Sequence, residues 1–428
     1  MDRRNFIKAS AAATAALMLD WEKAFAAGTA DAAVGKVWKG WKKGHFQVHF
    51  IFTGVAESMF MLFPDGTSLL LDCGDHNAIG RGKLAVPVLP DGGRHSGEWI
   101  ARYVERVNPG GRKVDYMMLS HYHNDHGGGE TFYASEVVRD GKPYFLSGFA
   151  QAAETLEFRR AFDRCYPDFR DPIPLVDDGA QMRTHMTKFY DYMRKSRGMQ
   201  VEKFRVGEID QVALLHDRAK YRDFSVRNLC GNGRIAAPDG RIIDLYAERK
   251  KDPPRSFNEN GMSLGMVFTY GDFKFYTAGD FSDSWELADG TTFRIEEALA
   301  EVCGKANVAK INHHGHYSMP PKLVAALQSQ VYVSCVWDQL HNVAPVMETL
   351  ADRSLYPGER IICPGIFPAE RREEDKGAPW LADIEPAAFE GGHIVLDVPP
   401  GGKTFSITYL TAADESLTVR SVLHFNTR

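Results

Sequence analysis

LSHYHNDHGGGE, residues Leu119 to Glu130, sets three histidines and an aspartate into the six positions His121 to His126, then adds Gly127, Gly128 and Gly129. Imidazoles and carboxylates at that density either titrate against one another at a cost in free energy or share a cation that stabilises them all. In His121-x-His123-x-Asp125-His126 the alternate histidines converge if the loop stays extended, while Asp125 and His126 turn toward a second centre. Two nitrogens for one ion, and a carboxylate with a nitrogen for another, is a division that suits a binuclear site. A solvated surface loop is the competing reading, and it suits a lone histidine far better than four ligand-type residues after a buried strand. The glycines are expected to bend the backbone sharply near the ions and to open the following helix.

Outward from this loop, the preceding VDYMMLS reads as a short buried strand, and EWIARYVERVNPGG spaces Ile100, Tyr103, Val104 and Val107 on one helical face before Asn108-Pro109-Gly110 stops it. Upstream, HFQVHFIF alternates as a half-buried strand, and SMFMLFPDGTSLLLDCGD is a hairpin around Pro64-Asp65-Gly66 that leaves its sheet at Asp72. Residues from about 150 to 235 read as an insertion decorating the sheet, with a helix in MRTHMTKFYDYMRK and a strand in QVALLHD ending at His216. Regularity returns with SLGMVFTYGDFKFYTAGD, two strands around Gly271-Asp272 that end at Asp280. A helix (FRIEEALAEVC) and a strand (VAKIN) then lead into HHGHYSMPP. Beyond about residue 345 come an α/β segment and, from Gly391, short antiparallel strands forming a small C-terminal β-module.

The 428 residues are 44% hydrophobic and 25% charged, a globular composition with length for a large core. Arg3-Arg4 before Phe6, Ile7 and Lys8, an Ala-rich apolar run and Ala24-Phe25-Ala26 resemble a twin-arginine export signal over residues 1–26. No stretch reaches the ~20 apolar residues of a membrane span, so the expected location is periplasmic or secreted. Cleavage removes four cations and three anions and moves the formal charge from −5 to −6. That balance disfavours a nucleic-acid partner, whose affinity needs a basic stripe, although Arg249, Lys250 and Lys251 form a short local run. The six cysteines are dispersed with no C-x-x-C pair, so free buried thiols are expected rather than a thiolate zinc site.

HYHNDHGGG, with LLLDCGD upstream and TAGD then NHHGHYS downstream, resembles the metallo-β-lactamase superfamily over roughly residues 45 to 345. The resemblance implies an α/β fold, a four-layered αβ/βα sandwich with metals at one edge, and leaves residues 346–428 as an extension. It implies that His121 and His123 hold a first metal, Asp125 and His126 a second, and that Asp280 bridges both. His313 or His314 would complete the second metal, and Asp72 would support the loop. The histidine that the family supplies between the cluster and Gly-Asp has no clear counterpart: His216 is the candidate, with Asn258 or Asn260 as replacements, and His185 is more simply a helix-face residue. DCG, NENGMSLGMVF, TAGD and HHG are further similar to the branch with competence DNA-uptake hydrolase domains and phosphorylcholine esterases, except that His316 stands where that branch commonly has serine.

Two divalent ions, zinc by donor type with manganese or iron also admitted, lower the pKa of a shared water and polarise a carbonyl or phosphoryl oxygen. Asp125, Asp280 and His316 are the expected catalytic residues, with His316 or His341 as proton donor and Tyr122 and Tyr317 as candidate walls. The expected partner is a small-molecule or cell-envelope ester, a phosphodiester or phosphocholine-like one before a lactone or β-lactam. A catalytically silent, metal-stabilised envelope binding protein is the rival from another class.

Overall fold

The computed structural model describes residues 31–76, 86–130, 134–169, 179–245, 258–282, 284–286 and 292–428. The export signal and the Arg249 to Lys251 run lie outside them. Two large mixed sheets dominate. The first runs, in spatial order, Val419–Asn426, Thr404–Leu410, His393–Val398, Phe46–Phe50, Ser58–Leu62, Ser68–Cys73, Lys113–Met118, Glu157–Asp163 and Gln200–Lys203. The second runs Ile242–Asp244, Arg234–Ala236, Phe224–Gly231, Gly265–Tyr270, Phe273–Thr277, Val308–Lys310, Val331–Ser334 and Ile361–Pro364. Each sheet is antiparallel at one end and parallel at the other, the parallel half starting at the Ser68–Cys73 pairing with Lys113–Met118 and at the Phe273–Thr277 pairing with Val308–Lys310.

The sheets share one core, in which Phe46 stacks on Phe268 at 5.6 Å between ring centres and Phe50 meets Phe275 edge-on at 5.9 Å. The other face of the first sheet is covered by helices, so Phe46–Phe50, expected to be half-buried, is buried along its whole length. Strands covered on both sides lose the apolar/polar alternation that marks a solvated face. Helix Ser96–Val107 supplies part of that cover through Ile100, Tyr103, Val104 and Val107, each burial contributing about 1.5–3 kcal/mol. The Glu98 carboxylate accepts the His95 N–H at 3.1 Å to start this helix, and Asn108, held by bonds to Gly110 and Lys113, ends it before Pro109.

Three expectations are corrected. Residues 150–235 do not merely decorate a sheet: Glu157–Asp163 and Gln200–Lys203 lie in the first, and Phe224–Gly231 pairs with Gly265–Tyr270 in the second. The C-terminal strands form no separate β-module, because His393–Val398 pairs with Phe46–Phe50 and continues the first sheet. QVALLHD is not a strand. Its backbone is satisfied by the hairpin turn instead, with Leu215 N–H on Thr67 Oγ1 at 2.8 Å and the His216 and Asp217 N–H groups on the Asp65 carboxylate at 2.8 and 3.0 Å.

Candidate metal centre

The loops that follow Ser68–Cys73, Lys113–Met118, Phe273–Thr277, Val308–Lys310 and Val331–Ser334 gather at one edge, where strand ends from both sheets meet. Asp72, at φ 59°, turns its carboxylate toward the next strand's exit. There it accepts Ser120 N–H and Ser120 Oγ at 2.7 Å each and His126 Nδ1 at 2.8 Å. With Nδ1 donating to Asp72, His126 aims Nε2 inward, where it lies 3.1 Å from Asp280 Oδ2 and 3.7 Å from Asp125 Oδ2. His314 is set in the same way: Nδ1 meets the Cys335 carbonyl at 2.8 Å, and Nε2 lies 3.2 Å from both Asp125 Oδ2 and Asp280 Oδ2. His121 Nε2 and His123 Nδ1 are 3.0 Å apart, and the His121 ring is 4.2 Å from that of His126.

The glycines behave differently from expectation. They close the one-turn helix Asn124–Gly127 rather than open a longer one, because Gly128 takes φ 86° and ψ −143°. A Cβ there would lie 2.6 Å from the Ser147 carbonyl carbon, so only glycine lets the ligand loop pack this closely. The His313–His314 turn is strained, with φ 47° and 52° on two non-glycine residues. Neighbouring bonds hold it in place: Asn312 Nδ2 donates to Glu296 at 2.9 Å, Met319 N–H to the same carboxylate at 3.0 Å, and Ser318 Oγ to the Asn312 carbonyl at 2.6 Å.

Among the described residues the chemistry of this donor set fits a divalent ion. Burial opposes charge on His126 and His314, yet Asp280 and Asp125 outweigh it, holding His126 well above the usual imidazole range and His314 at about 10. Burial would raise Asp125 and Asp280, and the same imidazoles pull both well below the carboxylate range. His121 is pushed well down by burial and by His126 and His123. Asp280 Oδ1 is buried with no hydrogen-bond partner. Carboxylates held ionised and imidazole nitrogens aimed inward are what a cation needs in place of protons.

Ligand atoms of Glu57, His126, Asp280 and His314 all fall within 4.8 Å of one another. Glu57, however, faces His314 through Nδ1 at 3.4 Å, the nitrogen engaged with Cys335, and its carboxylate sits 3.0 Å from Lys310 Nζ. Asp125 faces the inward Nε2 edge of the ring. Glu57 and Lys310 therefore form a buried ion pair behind His314 and Asp280. Neither was singled out in the sequence, since each sits inside or beside an apolar strand with no local signal. A second buried pair was also missed. Glu259 accepts the Tyr122 N–H, between His121 and His123, at 2.8 Å, and Arg164 holds Glu259 through two bonds of 2.7 Å.

His123, Asp125, Asp280, His313, His314 and His316 line a cavity of about 370 Å³, with His76 stacked on Trp337 at 4.6 Å on its wall. His313 does not meet the carboxylates as His314 does. Its Nδ1 lies 2.8 Å from Ser282 Oγ and its Nε2 3.1 Å from Asn260 Nδ2. His341 stacks on His314 at 4.5 Å. His216 is elsewhere: half exposed, it lies 3.4 Å from Asp115, at the opposite end of Lys113–Met118 from the ligand loop. His185 is buried on helix Ala180–Arg197. Tyr122 is no pocket wall, since it is fully buried with its hydroxyl on Asp163, whereas Tyr317 is exposed. All six thiols are free and buried.

Residues 1–19 match the TAT (twin-arginine translocation) pathway signal sequence, and residues 52–132, which contain Asp72 and the whole histidine loop, match the Metallo-beta-lactamase superfamily. No curated protein matches the chain. No helix among the described residues is long and apolar enough to cross a membrane. A histidine and carboxylate cluster at the meeting edge of two sheets, to which the segment similar to the metallo-beta-lactamase superfamily contributes His126 and residues beyond it contribute Asp280 and His314, supports, behind an export signal, a metal-dependent hydrolase exported by the twin-arginine route.

Proposed function

We propose that the protein is a binuclear hydrolase that cleaves an ester-type bond outside the cytoplasm, with phosphodiester or phosphocholine-like substrates favoured. The observation that carries this reading is the position of Asp280, whose Oδ2 lies 3.1 Å from His126 Nε2 and 3.2 Å from His314 Nε2 while Oδ1 has no hydrogen-bond partner and only the Lys310 ammonium, at 3.6 Å, beside it. In this reading His121, His123 and Asp280 would hold one ion, and Asp125, His126, His314 and Asp280 the other, with zinc suited to the nitrogen-rich set and manganese or iron admitted. Bound there, such ions lower the pKa of water and polarise a phosphoryl or carbonyl oxygen. The chain's own residues do the rest. Asp72 and the Cys335 carbonyl engage Nδ1 of His126 and His314, so that Nε2 is the nitrogen aimed inward and offered to a cation in place of its proton, and His316, on the cavity wall, is the group assigned to donate a proton to a leaving alcohol.

The shared core and helix-covered outer faces support a four-layered αβ/βα sandwich, with residues 45–345 as the hydrolase domain and 346–428 as an extension completing both sheets. The phosphoester preference draws on the DCG, TAGD and HHG pattern shared with competence and phosphorylcholine-esterase domains. The test is metal analysis of the purified mature protein, with turnover measured on a nitrophenyl phosphodiester, nitrophenyl phosphorylcholine, a lactone and a chromogenic β-lactam, for wild type and His123→Ala. Metal-dependent turnover of a phosphoester that His123→Ala loses supports the proposal. Metal bound with no turnover across the panel would instead make the protein a silent binding module.

A further inference from the structure

We infer that Asn260 supplies the donor that the sequence pattern lacks beside His121 and His123: its side-chain oxygen, oriented by His313, completes the first ion's ligand set. The inference rests on the two-ion reading above. Asn260 opens the short 3-10 turn Asn260–Met262, is 6% exposed and lines the same cavity as His123, Asp280 and His313. Its amide has two distinct ends. Nδ2 lies 3.1 Å from His313 Nε2, whereas Oδ1 is buried with no hydrogen-bond partner. An NH₂ group only donates, so in this arrangement His313 accepts at Nε2 and its proton sits on Nδ1, facing Ser282 Oγ at 2.8 Å. With the His313 proton on Nδ1, the chain Ser282, His313, Asn260 leaves the oxygen of the carboxamide over.

A buried amide oxygen with no hydrogen-bond partner is costly, because it has given up water without replacement. A hard oxygen beside imidazoles and a carboxylate is a suitable ligand for a divalent ion, which would remove that cost. The register is held from behind as well. Glu259, one residue earlier, is bonded to the Tyr122 N–H and clamped by Arg164, whose Nη1 donates to Asn232 Oδ1 at 2.7 Å. The peptide carrying Asn260 is thus tied to the very loop that carries His121 and His123. His313 becomes a positioning residue, with its second nitrogen occupied in holding the amide. His216 is excluded from the role by its place at the far end of the strand.

Asn260→Leu, Asn260→Asp and His313→Ala separate the roles, each read by zinc competition against a chromophoric chelator, by far-ultraviolet circular dichroism and by thermal unfolding of the metal-free protein. Wild type is expected to bind two ions. Asn260→Leu is expected to fold and to hold one ion normally while the other weakens by at least about 10- to 100-fold, Asn260→Asp to retain both, and His313→Ala to weaken the same ion by about 10-fold. If Asn260→Leu keeps wild-type affinity for both ions and only raises KM, Asn260 is a substrate contact and the inference is overturned. Should Asn260→Leu fail to fold, unchanged zinc affinity in His313→Ala overturns it equally. Wild type binding fewer than two ions removes the underlying two-ion reading, a failure distinct from either.

Discussion

Lys310 has no exposed surface, and its ammonium sits 3.0 Å from the Glu57 carboxylate and 3.6 Å from Asp280 Oδ1 while donating to the Gly279 carbonyl. A buried pair of this kind contributes little net stability when whole, yet removing one partner strands the other charge in a low-dielectric interior. Lys310→Met is expected to lose about 3–5 kcal/mol in urea unfolding of the metal-free protein, and Lys310→Met with Glu57→Met to recover most of it. An unchanged midpoint in the single variant would show the pair to be energetically idle. Asp72 acts on a different quantity. An amide there would turn either a carbonyl or an NH₂ toward His126 Nδ1 while the Ser120 N–H and hydroxyl also need acceptors. Asp72→Asn is therefore expected to weaken zinc binding about 10- to 100-fold. Chelator competition reads this directly, and equal affinity in both proteins would refute it.

The ligand loops depend on backbone shapes that few residues tolerate. Gly128 combines φ 86° with ψ −143°, and any Cβ would be 2.6 Å from backbone of Ser147. Gly128→Ala is expected to cost at least about 1–3 kcal/mol in strain and to reduce metal content, as seen by thermal unfolding and metal analysis. A variant as stable and as metal-rich as wild type would contradict the close-approach argument. The strained His313–His314 turn leans on Glu296. Burial lifts that carboxyl to about 8, even though the Met319 N–H and Asn312 bonds favour its charged form. The folded state thus holds a proton that the unfolded chain releases near 4.5. Its contribution to stability is complete below about 4.5 and is lost as pH rises through about 8. Glu296→Gln keeps an acceptor and has nothing to titrate, so its denaturation midpoint should fall less than that of wild type between pH 5 and 9; parallel curves would exclude Glu296 as the source.

Across the whole molecule, three buried histidines away from the metal centre set an acid limit. Burial pushes His49 and His393 down to about 3 and His185 to about 4. His49 lies 3.0 Å from the Tyr103 hydroxyl, and His393 Nδ1 accepts the Phe52 N–H at 3.0 Å, so each stays neutral inside or beside the first sheet. In the unfolded chain they titrate near 6.5, so their contribution is present above that pH and lost as pH falls toward 3 to 4, by up to about 1.4 kcal/mol per unit for each. Urea unfolding of metal-free protein at pH 7 and pH 5 should show this slope, reduced in His49→Gln. An identical slope in the variant would assign acid lability to other groups.

The alternating histidines, the Pro-Gly turns and the stop at Asn108-Pro109 are legible in the sequence because each is a local device, complete within a few residues. Strand-end aspartates and HHG are legible as candidates only, because their meaning depends on where they land. QVALLHD shows the limit of periodicity: Val212 and Leu214 are buried, but the Asp65 and Thr67 side chains take the backbone bonds that a neighbouring strand would have taken. Glu57, Lys310, Glu259 and Arg164 carry no local signature at all, since a charge in an apolar stretch acquires its function from a partner many residues away. The sequence by itself determined the donor types and their order along the chain. Only tertiary structure decided which nitrogen of each imidazole faces inward, that His314 rather than His313 meets Asp125 and Asp280, and which buried charges hold them, because those are matters of distance between segments that share no local contact.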